Sequence, residues 1–147
     1  MPQDLHQYAE SLAKPLEILI VDDDPEILNM LRHIFEQYNV CCTFAQTVEY
    51  AIQAVNTKPF SIVFLDLVFK GELSGVDFLR HVRRAAPALP VVVMTGHVDS
   101  QAARESVDLG VEIAHFMRKP MAMNDPILTD LFAQFNLRLV KVQKPVI

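Results

Sequence analysis

Residues 18–25 read Ile18-Leu19-Ile20-Val21-Asp22-Asp23-Asp24-Pro25. Four apolar, partly β-branched residues predict a buried strand. Three carboxylates follow at once, and then a proline suited to the first turn of a helix. Carboxylates at the carboxyl end of a parallel strand lie where open α/β sheets build their sites. Adjacent like charges raise one another's pKa unless a cation or hydrogen bonds compensate. A hard divalent cation with oxygen ligands is one such compensation. The simpler reading is a helix cap, with Asp24 as N-cap before Pro25 and Asp22 and Asp23 as loop residues. The rest of the chain decides between them.

Outward from this stretch, apolar runs and helical stripes alternate. Ile27, Leu31, Ile34, Phe35 and Tyr38 form one stripe. Val40 to Phe44 is a second strand, and Thr47 caps a helix carrying Val48, Ala51, Ile52 and Val55. Ser61 to Leu65 runs apolar into Asp66. A loop with Gly71, Ser74 and Gly75 leads to a helix with Val76, Leu79 and Val82. Val91 to Met94 ends in Thr95-Gly96, and Ser100 to Leu109 is a helix stopped by Gly110. Ile113 to Met117 is a fifth strand, ending near Arg118-Lys119-Pro120. Asp125 and Pro126 open a last helix with Ile127, Leu128, Leu131, Phe132 and Phe135 on its buried face. Continuous apolar strands alternating with helices predict a parallel sheet covered on both faces, a three-layer α/β domain.

Composition narrows the function classes. At 147 residues one domain is expected, and 51% hydrophobic residues suffice for a core. A net charge of −5 argues against direct nucleic-acid binding, which needs a basic surface. No apolar run is long enough for a membrane span. The N-terminus holds Asp4, His6 and Glu10 and lacks an apolar signal core. Cys41 and Cys42 are adjacent and make no disulfide framework. The expected compartment is the cytoplasm. Residues 1–15 read as an N-terminal extension with Leu5, Tyr8 and Leu12 at helical spacing. Residues 16–137 form the domain, and 138–147 a tail or the start of a linker.

Four of the five strands end in a chemically able group: Asp22 and Asp23, Asp66, Thr95, and Lys119. Parallel strands bring these ends to one edge. The carboxylates can hold a divalent cation, which would neutralise an incoming phosphoryl group and let an anionic Asp act as nucleophile. Lys119 can pair with a phosphoryl oxygen as a point charge. The Thr95 hydroxyl and Gly96 N–H can hydrogen-bond the others. Phosphoryl transfer asks a protein mainly for positioning and electrostatics.

These motifs resemble the receiver domain of two-component response regulators. The matching residues are Val21-Asp22-Asp23-Asp24-Pro25, Asp66, Val93-Met94-Thr95-Gly96-His97 and Phe116-Met117-Arg118-Lys119-Pro120. The resemblance implies a doubly wound five-stranded parallel sheet of flavodoxin-like order 2-1-3-4-5. It implies that Asp66 is the phosphoacceptor. Asp23, Asp66 and the Val68 backbone carbonyl would bind Mg²⁺ (or Mn²⁺), with Asp22 acting through water. Thr95, Gly96 and Lys119 would contact the phosphoryl group, Thr95 and Phe116 would form the switch, and Pro120 would follow a cis bond. Val68 and His97 would flank the path of the hydrolytic water. The implied partners are a sensor histidine kinase or phosphotransfer protein, and a downstream target or an output domain. A homodimer through the fourth helix, fifth strand and last helix is a further implication. Such a domain is not a turnover enzyme.

The sequence departs from the family in two places. The family's usual Met-Pro three and four residues after the phosphoacceptor is Phe69-Lys70 here, and Gly75 comes nine residues on instead of eight. The stretch from Gly110 to Phe116 is about two residues longer than usual. Two rivals compete. A haloacid-dehalogenase-type phosphotransferase would use Asp22 as nucleophile with Asp24 two residues on, although Glu26 stands where that pattern wants Thr or Val. A phosphorylation-independent interaction module would be expected to have lost a site residue, and none is lost.

Overall fold

The computed structural model describes residues 14–97, 100–112, 115–119 and 125–142. Strands β1 (Leu16–Val21), β2 (Val40–Ala45), β3 (Ile62–Asp66), β4 (Val91–Thr95) and β5 (Phe116–Arg118) alternate with helices. These are α1 (Pro25–Phe35), α2 (Val48–Thr57), α3 (Gly75–Ala85), α4 (Gln101–Asp108) and α5 (Asp125–Ala133). The sheet order is β2-β1-β3-β4-β5, parallel throughout. The chain runs outward from β1 to β2, then returns past β1 to build β3, β4 and β5. That reversal opens a crevice at the carboxyl ends of β1 and β3.

Alternate side chains of each strand feed two cores. Leu19, Val21, Val63, Leu65, Val91 and Val93 pack with residues of α2, α3 and α4 on one face. Ile18, Ile20, Ile62, Phe64, Val92 and Met94 pack with α1 and α5 on the other. Because both faces are covered, the period-2 alternation of a half-exposed strand is absent from the sequence. Phe35 of α1, Phe64 of β3 and Phe132 of α5 form an aromatic cluster, with ring centroids 5.6, 6.1 and 6.0 Å apart. Each such buried ring is worth roughly 1.5–3 kcal/mol relative to leaving it exposed.

Helix ends follow local chemistry. Asp24 caps α1 by accepting from the Glu26 N–H, with Pro25 opening the helix. Thr47 caps α2, Ser74 and Asp77 form a reciprocal capping box on α3, and Ser100 caps α4. Gly110 follows α4 at φ +91°, a left-handed conformation open to glycine.

The structure differs from the sequence expectations in three details. The buried stripe of α1 is Leu28, Leu31 and Phe35, while Ile27 and Ile34 are half-buried and Tyr38 lies past the helix end. Two neighbouring apolar residues at 27 and 28 made the phase ambiguous, and packing on the sheet selects Leu28. Strand β5 runs Phe116–Arg118. His115, expected within the strand, is in a turn instead, its N–H donating to Glu112 O at 2.9 Å, and Arg118 extends the strand at its other end. On the last helix Ile127 is 45% exposed instead of buried, and Phe135 lies past the helix end, half-buried. The expectations for residues 1–13, Ile113, Pro120 and residues 143–147 lie outside the described residues.

The chain beyond α5 packs on the domain. Asn136 (φ 58°) turns it back, and Leu137 and Leu139 rest on the α1/α5 core. Asn39 N–H donates to Val140 O at 2.7 Å and Val142 N–H to Gln37 O at 3.0 Å.

Candidate functional site

The carboxyl ends of β1, β3, β4 and β5 deliver their polar residues to one crevice. Asp22 follows β1 and is fully buried. Its Oδ1 accepts from the Asp24 N–H at 2.9 Å and its Oδ2 from Lys119 Nζ at 2.6 Å. Asp66 ends β3 and is 7% exposed. Its Oδ1 lies 3.4 Å from Lys119 Nζ and accepts weakly from the Val68 N–H at 3.4 Å. Asp23 is half-buried, and its Oδ2 accepts from the Lys70 N–H at 3.2 Å. Thr95 ends β4, 4% exposed, and its hydroxyl oxygen accepts from the His97 N–H at 3.0 Å. The Lys119 N–H donates to Thr95 O at 2.8 Å, which fixes the lysine to β4. Val68, Gly96 and His97 face solvent at the rim. Phe116 is half-buried against the α2/α3/α4 core.

The electrostatics follow from this packing. One carboxylate oxygen each from Asp22, Asp23 and Asp66 lie within 4.8 Å of one another. Burial, reinforced by the Asp22 charge, pushes the Asp66 carboxyl up to about 6 against the opposing pull of Lys119. Burial alone would depress the Lys119 ammonium, but its hydrogen bond to Asp22 and the charges of Asp66 and Asp22 raise it instead. Among the described residues, one ammonium beside three carboxylates leaves the cluster short of positive charge. Asp22, Asp23 and Asp66 are the hard oxygen donors that would hold a divalent cation such as Mg²⁺, and its charge would answer that deficit.

Asp24 does not join the cluster. It is exposed and caps α1. Both Asp22 oxygens are already engaged, and the residue is buried. A nucleophile at Asp22 assisted by Asp24 therefore has no geometric support.

Two contributors were missed in the sequence. The Lys70 contact to Asp23 comes from a backbone N–H, which every residue but proline carries, so no side-chain pattern announces it. Gly75 stands directly on the backbone of Asp66 and Leu67. A Cβ there would lie 2.1 Å from Asp66 O and 2.7 Å from Leu67 Cα. Its N–H also donates to Leu67 O at 3.1 Å. Both clashes are with backbone, which has no rotamer to yield. Gly75→Ala is expected to lower stability by about 2–3 kcal/mol, read from urea unfolding. A mutant as stable as wild type would contradict this packing.

Among the described residues, no helix is long and apolar enough to cross a membrane. The family model described as the response regulator receiver domain matches residues 18–129. The nitrogen assimilation regulatory protein NtrX of Azorhizobium caulinodans is 28% identical over 124 residues, covering 84% of this chain and 27% of that protein. The chain thus spans about a quarter of that relative's length. The receiver domain of NtrX from Brucella abortus superposes with a TM-score of 0.70 at 27% identity, covering 81% of this chain and 98% of that one. A CheY-like response regulator receiver domain protein from Methanospirillum hungatei shares the fold. It has a TM-score of 0.72 at 21% identity, covering 83% of this chain and 94% of that one. Receiver domains are typically signalling domains, and they generally bind Mg²⁺ at an acidic cluster such as Asp22, Asp23 and Asp66. Matched over most of its length and folded on the same plan, this chain belongs to the response regulator receiver domain family.

Proposed function

We propose that Asp66 accepts a phosphoryl group from a phosphohistidine of a sensor histidine kinase or phosphotransfer protein. The observation that carries this reading is the buried Asp66 carboxylate, 3.4 Å from the Lys119 ammonium inside a three-carboxylate cluster. In the reaction an Asp66 oxygen attacks phosphorus. The P–N bond to the donor imidazole breaks as the P–O bond to Asp66 forms. Bound Mg²⁺ would supply charge neutralisation to the nucleophile and the phosphoryl oxygens. Asp23, Asp66 and the Val68 carbonyl would hold it, with Asp22 supporting through water. Lys119 pairs with one phosphoryl oxygen, and the Thr95 hydroxyl and Gly96 N–H meet the others.

The switch in this reading is Thr95. Its hydroxyl must leave the His97 N–H to reach the phosphoryl group. Half-buried Phe116, one strand away on β5, would turn into the space released. The face of α4, β5 and α5 would then change for a target, an output domain or a second copy. Reporting to an output domain is the role this chain would share with its longer relatives.

Mg²⁺ linkage tests the site. Mg²⁺ is expected to raise the melting temperature of the wild type, and Asp23→Ala to remove most of that rise. An unchanged Mg²⁺ response in Asp23→Ala would move the site elsewhere.

The phosphorylated state should last minutes or longer. Val68, 69% exposed at the rim, has no group to hold a hydrolytic water. His97 is exposed in the loop after β4, outside any helix or strand that would hold its ring in one place. Restoring a water-binding side chain by Val68→Asn is expected to speed decay about tenfold, or about 1.4 kcal/mol of barrier. Decay of label after donor removal measures this. A wild-type half-life of seconds, or no acceleration in the mutant, would show that another feature sets the rate.

A further inference from the structure

The loop between β3 and α3 is fixed at its stems. The Gly75 N–H donates to Leu67 O at 3.1 Å, and the Ser74–Asp77 capping box anchors the far end. Between the stems, Lys70, Gly71 and Glu72 are exposed. Among the described residues, this exposed span reaches back across the crevice through the Lys70 N–H to Asp23 Oδ2 at 3.2 Å. Forty-seven positions separate the two residues.

The contact matters because of where Asp23 stands. Asp22 is tied by two donors, the Asp24 N–H and Lys119. Asp66 is tied by Lys119 and the Val68 N–H. Among the described residues, Asp23 has the Lys70 N–H as its donor. It is also the most solvent-accessible of the three carboxylates. Its neighbours Asp22 and Asp66 carry like charge, so the cluster itself supplies no attraction that would hold it in place. A carboxylate with one oxygen held by an N–H keeps the other oxygen, and further lone pairs, for a cation.

We propose that the Lys70 backbone N–H is a positioning group for the divalent cation, holding the Asp23 carboxylate inside the cluster before the cation arrives. The 68–74 loop is then part of the cation site, and its conformation and cation occupancy are coupled. The inference rests on the phosphoacceptor reading, which places the cation on Asp23. It concerns the backbone of residue 70 and makes no use of the ammonium.

Two measurements on the full chain, by amide NMR without phosphodonor, test it. The first is hydrogen exchange of the Lys70 amide in metal-free buffer. Asp23→Ala is expected to speed it at least about tenfold while the β3 amides keep their protection. The second is Mg²⁺ titration of two variants. Both variants remove the ammonium, so they are compared with each other. Lys70→Ala keeps the N–H, and Lys70→Pro, which lacks it, should bind Mg²⁺ about tenfold more weakly than Lys70→Ala. Equal affinity in the two variants overturns the inference. If the proline variant loses the dispersed spectrum of the fold, the exchange measurement decides. A Lys70 amide exchanging equally fast with and without the Asp23 carboxylate overturns the inference. No saturable Mg²⁺ binding by wild type would instead overturn the phosphoacceptor reading beneath it.

Discussion

Asp66→Asn is expected to take no label from acetyl phosphate and Mg²⁺, and yet to be more stable than wild type without metal. The amide is near-isosteric, so the crevice keeps its shape, but it is a poor nucleophile with no negative charge. Labelling should fall to background. The stability change follows from linkage. The folded Asp66 carboxyl sits at about 6 against 3.8 for the ordinary group, because burial and the Asp22 charge disfavour its ionised form. Holding it ionised at neutral pH costs on the order of 3 kcal/mol. A raised carboxyl is stabilising below its unfolded pKa and loses that contribution as pH rises through its folded pKa. The advantage of Asp66→Asn should therefore be largest above pH 7, shrink as pH falls through about 6, and vanish near 4. Urea unfolding in EDTA across that range measures it. A mutant less stable than wild type at pH 7.5 would show that Lys119 already compensates the Asp66 carboxylate fully.

Lys119→Met should act in the opposite direction. The ammonium lies 2.6 Å from Asp22, which has no exposed surface, and 3.4 Å from Asp66. Removing it leaves a buried carboxylate with the Asp24 N–H as its remaining donor among the described contacts. Breaking a buried ion pair from one side costs about 3–5 kcal/mol. Metal-free Lys119→Met is thus expected to be destabilised by about that much at pH 7. Mg²⁺ should recover part of the loss, since it brings positive charge to the same carboxylates. Thermal melts with EDTA and with Mg²⁺ give both numbers. A loss under 1 kcal/mol would mean that water reaches Asp22.

The sequence showed the sheet and its edge plainly. Apolar runs ending in Asp22, Asp66 and Thr95 can be read because a doubly covered strand is apolar until it emerges from between the helix layers, whereas the short, half-buried β5 before Lys119 was placed less well. The helix caps at Asp24 and Thr47 were equally local, while Ser74 was read as a loop residue and Ser100 only as a helix start, and the structure makes both of them caps. What was not legible depends on partners remote in sequence. Choosing Leu28 over Ile27 needed the sheet beneath α1. Residues 138–142 showed no pattern because backbone bonds to Gln37 and Asn39 hold part of them. The Lys70 contact with Asp23 was hidden for the same reason. The departure at Phe69-Lys70 marked the loop as unusual without saying what its backbone would touch.

The rival readings separate at the atom that carries phosphorus. A dehalogenase-type enzyme would phosphorylate Asp22, and an interaction module would phosphorylate nothing. The direct measurement is to phosphorylate the protein with acetyl phosphate and Mg²⁺, trap the acyl phosphate by borohydride reduction, and locate the modified residue by peptide mass spectrometry. One modification, at Asp66, is the result expected here. Modification at Asp22, or none in a protein that binds Mg²⁺, would contradict the assignment of Asp66 as phosphoacceptor.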